Sequence, residues 1–194
     1  WGHYISLAWT PTFFAEQYGL NVKESAFFSI LPCIAGTIGG LFAGALADYI
    51  LGKENMNTTN EDDTILKRTN VRKVFQGIAQ FGPGVCLLAL AQNIPEQPLA
   101  AQSLLTVAIG LQQFNVAGFS AAAQEKAGEK WSGLLYSLTS IPGVMFGSFG
   151  VYLTGLILDA TGQDWSGVFG LNALIDFAGA MAFISLYNSR KEFD

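Results

Sequence analysis

Three polar stripes run through otherwise apolar stretches of this 194-residue chain. His3, Ser6 and Thr10 recur at three and four residues, with Tyr4 and Trp9 beside them. Thr106, Gln113, Ser120 and Gln124 recur at seven, seven and four, and Gln112 and Asn115 widen that face. Ser137 and Ser140, flanked by Tyr136 and Thr139, make the third. On helices in lipid, such faces turn toward other helices or an aqueous path, because acyl chains cannot satisfy their polar groups. Their chemistry is the binding of a polar solute, not bond making. There is no His-Glu-x-x-His, no Gly-x-Ser-x-Gly and no paired catalytic carboxylates. A single histidine excludes a histidine metal cluster within the chain. An enzyme, a metal or a cofactor is therefore not expected. Tyr4, Thr10, Gln113, Ser137 and Ser140 are the candidate cavity residues.

Two ionisable residues stand apart. Asp176 lies near the middle of the last apolar stretch, where an ionised carboxylate costs at least ~2.5 kcal/mol unless paired or hydrated. It reads as a coupling carboxylate, or as a structural residue satisfied by Asn172 one turn away; a peripheral helix fits the second reading. His3 reads as a substrate or proton ligand, or as a solvated residue near a helix end. Cys33 and Cys86 fall within apolar spans and read as small buried hydrophobes, not as a disulfide or metal pair.

The elements that must carry these residues are six apolar segments, roughly 1–18, 26–50, 74–92, 99–123, 132–158 and 165–187. Each approaches or exceeds the ~20 residues a helix needs to cross a bilayer. Lys53, Lys67, Arg68, Arg72 and Lys73 follow the second, Lys126 and Lys130 the fourth, and Arg190 and Lys191 the sixth. Only Lys23 lies on the alternate connections. Retention of Lys and Arg on the cytoplasmic face predicts this pattern for six spanning helices with both ends inside. The mean hydropathy of +0.35 is modest because the polar 51–73 connection dilutes it. That connection, with Glu61-Asp62-Asp63, is expected to be a solvated cytoplasmic loop, so its Asn57-Thr58-Thr59 glycosylation match should stay unmodified. Pro11, Pro32, Pro83 and Pro142 interrupt four spans and permit kinks. Gly36-x-x-x-Gly40-x-x-x-Gly44 and Gly143-x-x-x-Gly147 allow close helix approach. The third and sixth spans are more uniformly apolar and read as outer supports. A chain that starts at Trp1 without Met reads as a piece of a longer protein.

The second span and its exit carry the most specific pattern. Leu31-Pro32 opens a glycine-rich helix ending Gly44-Ala45-Leu46-Ala47-Asp48, and Thr69-Asn70-Val71-Arg72-Lys73 follows the polar insert. This resembles the major facilitator superfamily signature that links the second and third helices of each half. Trp1-Gly2, Trp9-Thr10-Pro11-Thr12-Phe13-Phe14 and Phe81-Gly82-Pro83-Gly84 fall in the order of its anion:cation symporter family. That family includes sodium–phosphate, vesicular glutamate, sialic acid and plant plastid phosphate transporters. The resemblance covers essentially the whole chain and implies an all-α membrane fold, six transmembrane helices as two inverted three-helix repeats. This would be the carboxy-terminal half of a twelve-helix transporter, lacking its amino-terminal partner half.

The implied activity is secondary active transport of a small anion, inorganic phosphate favoured, coupled to sodium, protons or membrane potential. An organic-anion transporter and a non-transporting receptor on the same fold are the alternatives. A plasma or organelle membrane, plastid included, is implied; nucleic acid is not a partner. Asp48 paired with Arg72 or Lys73, next to Gly44, would form a gate contact. The resemblance weakens after the fourth span. There, without a gap, Lys126 and Glu129 stand where the family has an acidic residue and a proline; a one-residue insertion would instead bring Glu125 to the acidic position, and Thr139-Ser140 replaces Ser-Asn.

Overall fold

The computed structural model describes residues 1–55 and 61–190, without side-chain detail at 53–55, 61, 128 and 129. Six helices follow one another: α1 Gly2–Tyr18, α2 Val22–Asn55, α3 Glu61–Gln92, α4 Pro98–Gln112, α5 Phe119–Thr161 and α6 Trp165–Leu186. A 3-10 turn, Gln113–Val116, joins α4 to α5. No strand occurs among the described residues. Local chemistry marks the ends. Gly19 ends α1 at φ 64°, a left-handed cap that glycine adopts without strain. Asn21 and Glu24 open α2 reciprocally: the Glu24 N–H donates to Asn21 Oδ1 at 3.0 Å, and the Asn21 N–H to Glu24 Oε2 at 3.1 Å. Pro98 starts α4, where a missing N–H costs nothing. Asp164 caps α6 by accepting from the Ser166 hydroxyl and backbone N–H, which together hold its carboxyl below the usual carboxylate range.

Among the described residues, five stretches are long and apolar enough to cross a membrane: Val22–Gly52, Asp62–Gln92, Pro98–Ala127, Lys130–Thr161 and Trp165–Leu186. α1, at 17 residues, is at the short limit for a span. Phe27, Ile34, Ile38, Leu41 and Phe42 on α2, and Leu138, Ile141, Met145, Phe146 and Phe149 on α5, are exposed. Rows of large apolar side chains on exposed helix faces fit lipid, not water. The chain is an all-helical integral membrane protein.

Cross-links fix which helix ends lie together. The Arg72 guanidinium of α3 binds Glu125 of α5, and Thr69 of α3 exchanges hydrogen bonds with Ser189 beyond α6. Arg190 reaches Asp62 at 3.7 Å, an exposed pair of little energetic weight. At the opposite end, the Tyr18 hydroxyl donates to the Pro95 carbonyl at 2.7 Å. There Phe13 packs edge-on against Trp165 and Phe169, with centroids 5.2 and 5.1 Å apart. Phe14, Leu90, Leu105 and Leu158 complete this aromatic core. Lys67, Arg68, Arg72, Lys126 and Arg190 are consequently carried on segments gathered at the end away from that core.

The structure departs from the sequence-based reading in four places. The 51–73 connection is largely helical, because α2 continues to Asn55 and α3 begins at Glu61. Asp62 and Asp63 fall in the first turn of α3, where negative charge complements the helix dipole. The glycosylation match at Asn57 lies outside the described residues. No break separates the fourth and fifth spans: α5 runs through 124–131, with no proline between Phe119 and Ile141 to stop it. The interruption falls instead at the 3-10 turn, inside the expected fourth span. Cys33 is exposed and Cys86 half-buried, both free thiols. Lastly, α3 and α6 pack against each other but also turn polar residues inward, as described below.

The glycine stripes serve unequally. A methyl group on Gly39 would collide with the Gly110 carbonyl, so backbones of α2 and α4 touch there. Gly36 and Gly40 receive Gln113, whereas Gly44 and Gly143 face open space. On α5, Gly147 lies under the Tyr4 ring and Gly150 under the Trp1 ring, seating α1.

Candidate functional site

A polar-lined cavity of about 480 Å3 opens between α1, α3, the 3-10 turn, α5 and α6. Its wall carries polar side chains from every helix except α2. α1 brings His3 and Tyr4, the end of α4 and the turn bring Gln112, Gln113 and Asn115, and α5 brings Ser120, Thr139 and Ser140. α3 adds Gln76 and Gln80, and α6 adds Asp176. A smaller cavity of about 250 Å3 between α1, α2 and α4 shares His3 and Gln113 with it and includes Thr10. Of the residues expected to line a path, Tyr4, Gln113 and Ser140 share the larger cavity with His3 and Asp176. Thr10 faces the smaller cavity. Ser137 is exposed, its hydroxyl bonded to the Gly133 carbonyl at 2.9 Å.

The interrupted span shapes the larger cavity. Gly118, the residue before α5, has no side chain to cap the helix; Gln76 of α3 supplies the acceptor, taking the Phe119 N–H at 2.9 Å. A methyl group at Gly118 would meet Gln76 at 2.5 Å, so glycine is what allows α3 this close. The first turn of α5, positive by its peptide dipoles, therefore begins at the cavity wall beside Ser120. The hydroxyls nearby are already engaged: Ser140 donates to the Tyr136 carbonyl at 2.7 Å and Thr10 to the Ser6 carbonyl at 2.5 Å. Donation to a bound solute requires those hydrogens to rotate away from the helix carbonyls.

The motif residues of the second span sit elsewhere. Asp48 is exposed, and Gly44 has open space beside it. Arg72, only 5% exposed, is bound in a fork by Glu125, Nη2 to Oε1 at 2.6 Å and Nε to Oε2 at 3.1 Å. Its Nη1 donates to the Ala117 carbonyl at 2.7 Å. Arg72 thus ties α3 to both sides of the interruption and is not joined to Asp48; Lys73 is half-buried. Glu125 is the residue that a one-residue insertion brings to the acidic position of the resembled family.

No family model matches the chain. "Probable anion transporter 6, chloroplastic" of Arabidopsis thaliana is 31% identical over 192 residues, 99% of this chain and 35% of that protein. "Probable anion transporter 3, chloroplastic" of Oryza sativa subsp. japonica is 31% identical over 195 residues, 100% of this chain and 35% of that protein. The chain is a homologue of named plant anion transporters. It spans about a third of the length of these curated relatives. Their names are those of transporters, in keeping with a protein that is not an enzyme. Among the described residues there is no group of three or more His, Cys, Asp or Glu side chains able to hold a metal.

Sequence reasoning missed Gln76 and Gln80. They stand four residues apart on α3, a spacing visible in the sequence but submerged in an apolar average. It also paired Asp176 with Asn172, whose amide Nδ2 instead donates to the Val168 carbonyl at 2.9 Å.

Proposed function

We propose that this chain is the carboxy-terminal half of a twelve-helix major facilitator transporter, two inverted three-helix repeats that meet an amino-terminal half around a central site. It carries a small anion across the membrane by alternating access, with inorganic phosphate as first choice and a cation gradient or membrane potential as driving force. The carrying observation is the interrupted fourth span, whose break and following helix start line a polar cavity. Discontinuous helices that point an N-terminus at an anionic substrate recur in secondary transporters. Homology to named anion transporters supports the same substrate class. Among the described residues no Lys or Arg lines the cavity, so the counter-charge for the anion comes from the other half. Tyr4, Gln113 and Ser140 contact the substrate first, while Thr10 and Ser137 contribute as the halves rock. Both ends of this segment lie on the cytoplasmic or stromal side, and a plastid membrane is the favoured location.

Gly44, Asp48, Arg72 and Lys73 form the gate. In the conformation described, Arg72 is held by Glu125; in the opposite orientation Asp48 takes Arg72 or Lys73. The decisive experiment uses full-length protein in liposomes and follows labelled phosphate, with glutamate as competitor, under separate sodium, proton and voltage gradients. Gradient-driven accumulation of phosphate insensitive to glutamate is the expected result. Voltage-driven glutamate uptake without phosphate uptake would replace phosphate by an organic anion, and binding without accumulation would make the protein a receptor. In the same assay, Asp48→Asn slows uptake more than it weakens substrate binding. Unchanged turnover with reduced expression would leave Asp48 a structural staple.

A further inference from the structure

Four side chains that each carry a buried acceptor oxygen without a donor lie where α1, α3, α4 and α6 converge. Asp176, 7% exposed near the middle of α6, has a buried Oδ2 with no hydrogen-bond partner. Asn172, one turn earlier and 3% exposed, spends its Nδ2 on the Val168 carbonyl, which turns its orphaned Oδ1 the other way. Gln112 of α4 and Gln80 of α3 each present an orphaned Oε1. Gly2 shows how tightly the first three meet. A methyl group built on it would lie 3.0 Å from Gln112 Nε2, 3.8 Å from Asp176 Oδ1 and 4.0 Å from Asn172 Oδ1. Gln80 lies against Gly179, less than one turn along α6 from Asp176.

Buried acceptors are almost always satisfied in native proteins, by protein groups, water or an ion, so several at one cavity wall mark a place where such a partner binds. A proton on Asp176 supplies one donor and leaves the other oxygens bare. A hard cation accepts lone pairs from all of them at once, and carboxylate, amide and carbonyl oxygens are its preferred ligands. One carboxylate among neutral amides matches a single positive charge. We propose that Asp176, Asn172 and Gln112, with Gln80 at the rim, form a binding site for a dehydrated alkali cation. The site opens on the larger cavity through Asp176, Gln112 and Gln80, so bound cation and bound solute share one space. The role of this cation as a coupling ion rests on the transport reading above; its binding does not.

The test is thermal unfolding of the full-length protein in detergent, without anion substrate, in matched chloride salts of sodium, lithium, potassium and N-methylglucamine. Binding of radioactive sodium is measured in parallel. At least one alkali ion should raise the melting temperature saturably above the N-methylglucamine control. Asp176→Asn, close in shape but uncharged, should weaken that apparent affinity at least about tenfold. Gly2→Ala, which keeps every ligand but places a methyl where they meet, should do the same. If Asp176→Asn does not fold, the wild type and Gly2→Ala decide. No alkali-specific effect on the wild type, an effect that survives both substitutions, or stabilisation that follows pH alone each overturns the site. Because no anion is present, failure of phosphate uptake leaves this result standing, and the reverse holds equally.

Discussion

Two carboxylates inside the helical bundle have opposite surroundings. Glu125, about a quarter exposed, accepts a forked pair of hydrogen bonds from Arg72, whose remaining nitrogen is taken by the Ala117 carbonyl. Asp176 is more deeply buried and has no donor for its Oδ2. Both are costly to place away from water, and the fold compensates only one with a permanent partner. A charge completed by a fixed neighbour is a structural tie, here between α3 and the junction of α4 with α5. A charge left incomplete beside a cavity is held for a partner that arrives and leaves. On the cation-site proposal, the same chain separates the work of holding the bundle together from the work of binding.

The largest effect should follow from breaking the completed pair. Glu125→Gln leaves the Arg72 charge buried with a single carbonyl, and should cost about 3 kcal/mol of stability, measured by denaturant or thermal unfolding in detergent. Removing both charges, Arg72→Gln with Glu125→Gln, should recover a large part of that loss, a coupling that a double-mutant cycle reads directly. A loss under about 1 kcal/mol for Glu125→Gln would reduce the pair to an ordinary surface contact and remove the contrast with Asp176.

A smaller effect tests whether the whole charged end is a structural tie. Ser189 donates its backbone N–H to Thr69 Oγ1 at 3.0 Å and its hydroxyl to the Ile65 carbonyl at 2.7 Å, while Thr69 donates to Ser189 Oγ at 2.9 Å. Thr69→Val keeps the shape and strands a buried N–H, for an expected loss of about 1 kcal/mol. Hydrogen exchange should rise at Ser189 while the α1–α6 aromatic end stays protected. Equal loosening at both ends would mean that the bundle unfolds as one unit and that the tie is not local.

Much of this arrangement was legible in the sequence, for a physical reason. Apolar length is a property of composition, so the 1–18 and 165–187 segments match α1 and α6 within a residue or so. Of the five residues read as cavity candidates, Tyr4, Gln113 and Ser140 line one cavity, Thr10 lines the smaller one and Ser137 is exposed. Hydropathy reports solubility in lipid, not helicity, and so α2 and α3 extend through polar residues that read as a loop. The 34 residues of α2 reach about 51 Å, well beyond a hydrocarbon core. Pairing across distance was the least legible. Arg72 and Glu125 are 53 residues apart and meet only because α3 lies against the interruption. Asn172 stands at the right spacing to serve Asp176, but its amide donates to the carbonyl four residues back in its own helix.

The smallest stability effect should come from the residue that looks most costly. In buffer free of alkali ions, Asp176→Asn removes a buried charge that no fixed group satisfies, and it adds an amide hydrogen that the orphaned Gln112 or Asn172 oxygens can accept. The lost charge and the gained donor both favour the folded state, while the exchange of carboxylate for amide barely alters packing. Unfolding in N-methylglucamine chloride should therefore change by no more than about 1 kcal/mol, with stabilisation as readily seen as loss. Glu125→Gln, the same chemical change on another helix, should differ from it by about 2 kcal/mol or more. If the two substitutions cost the same, Asp176 has a permanent partner, and an unsatisfied carboxylate can no longer distinguish the binding region from the structural one.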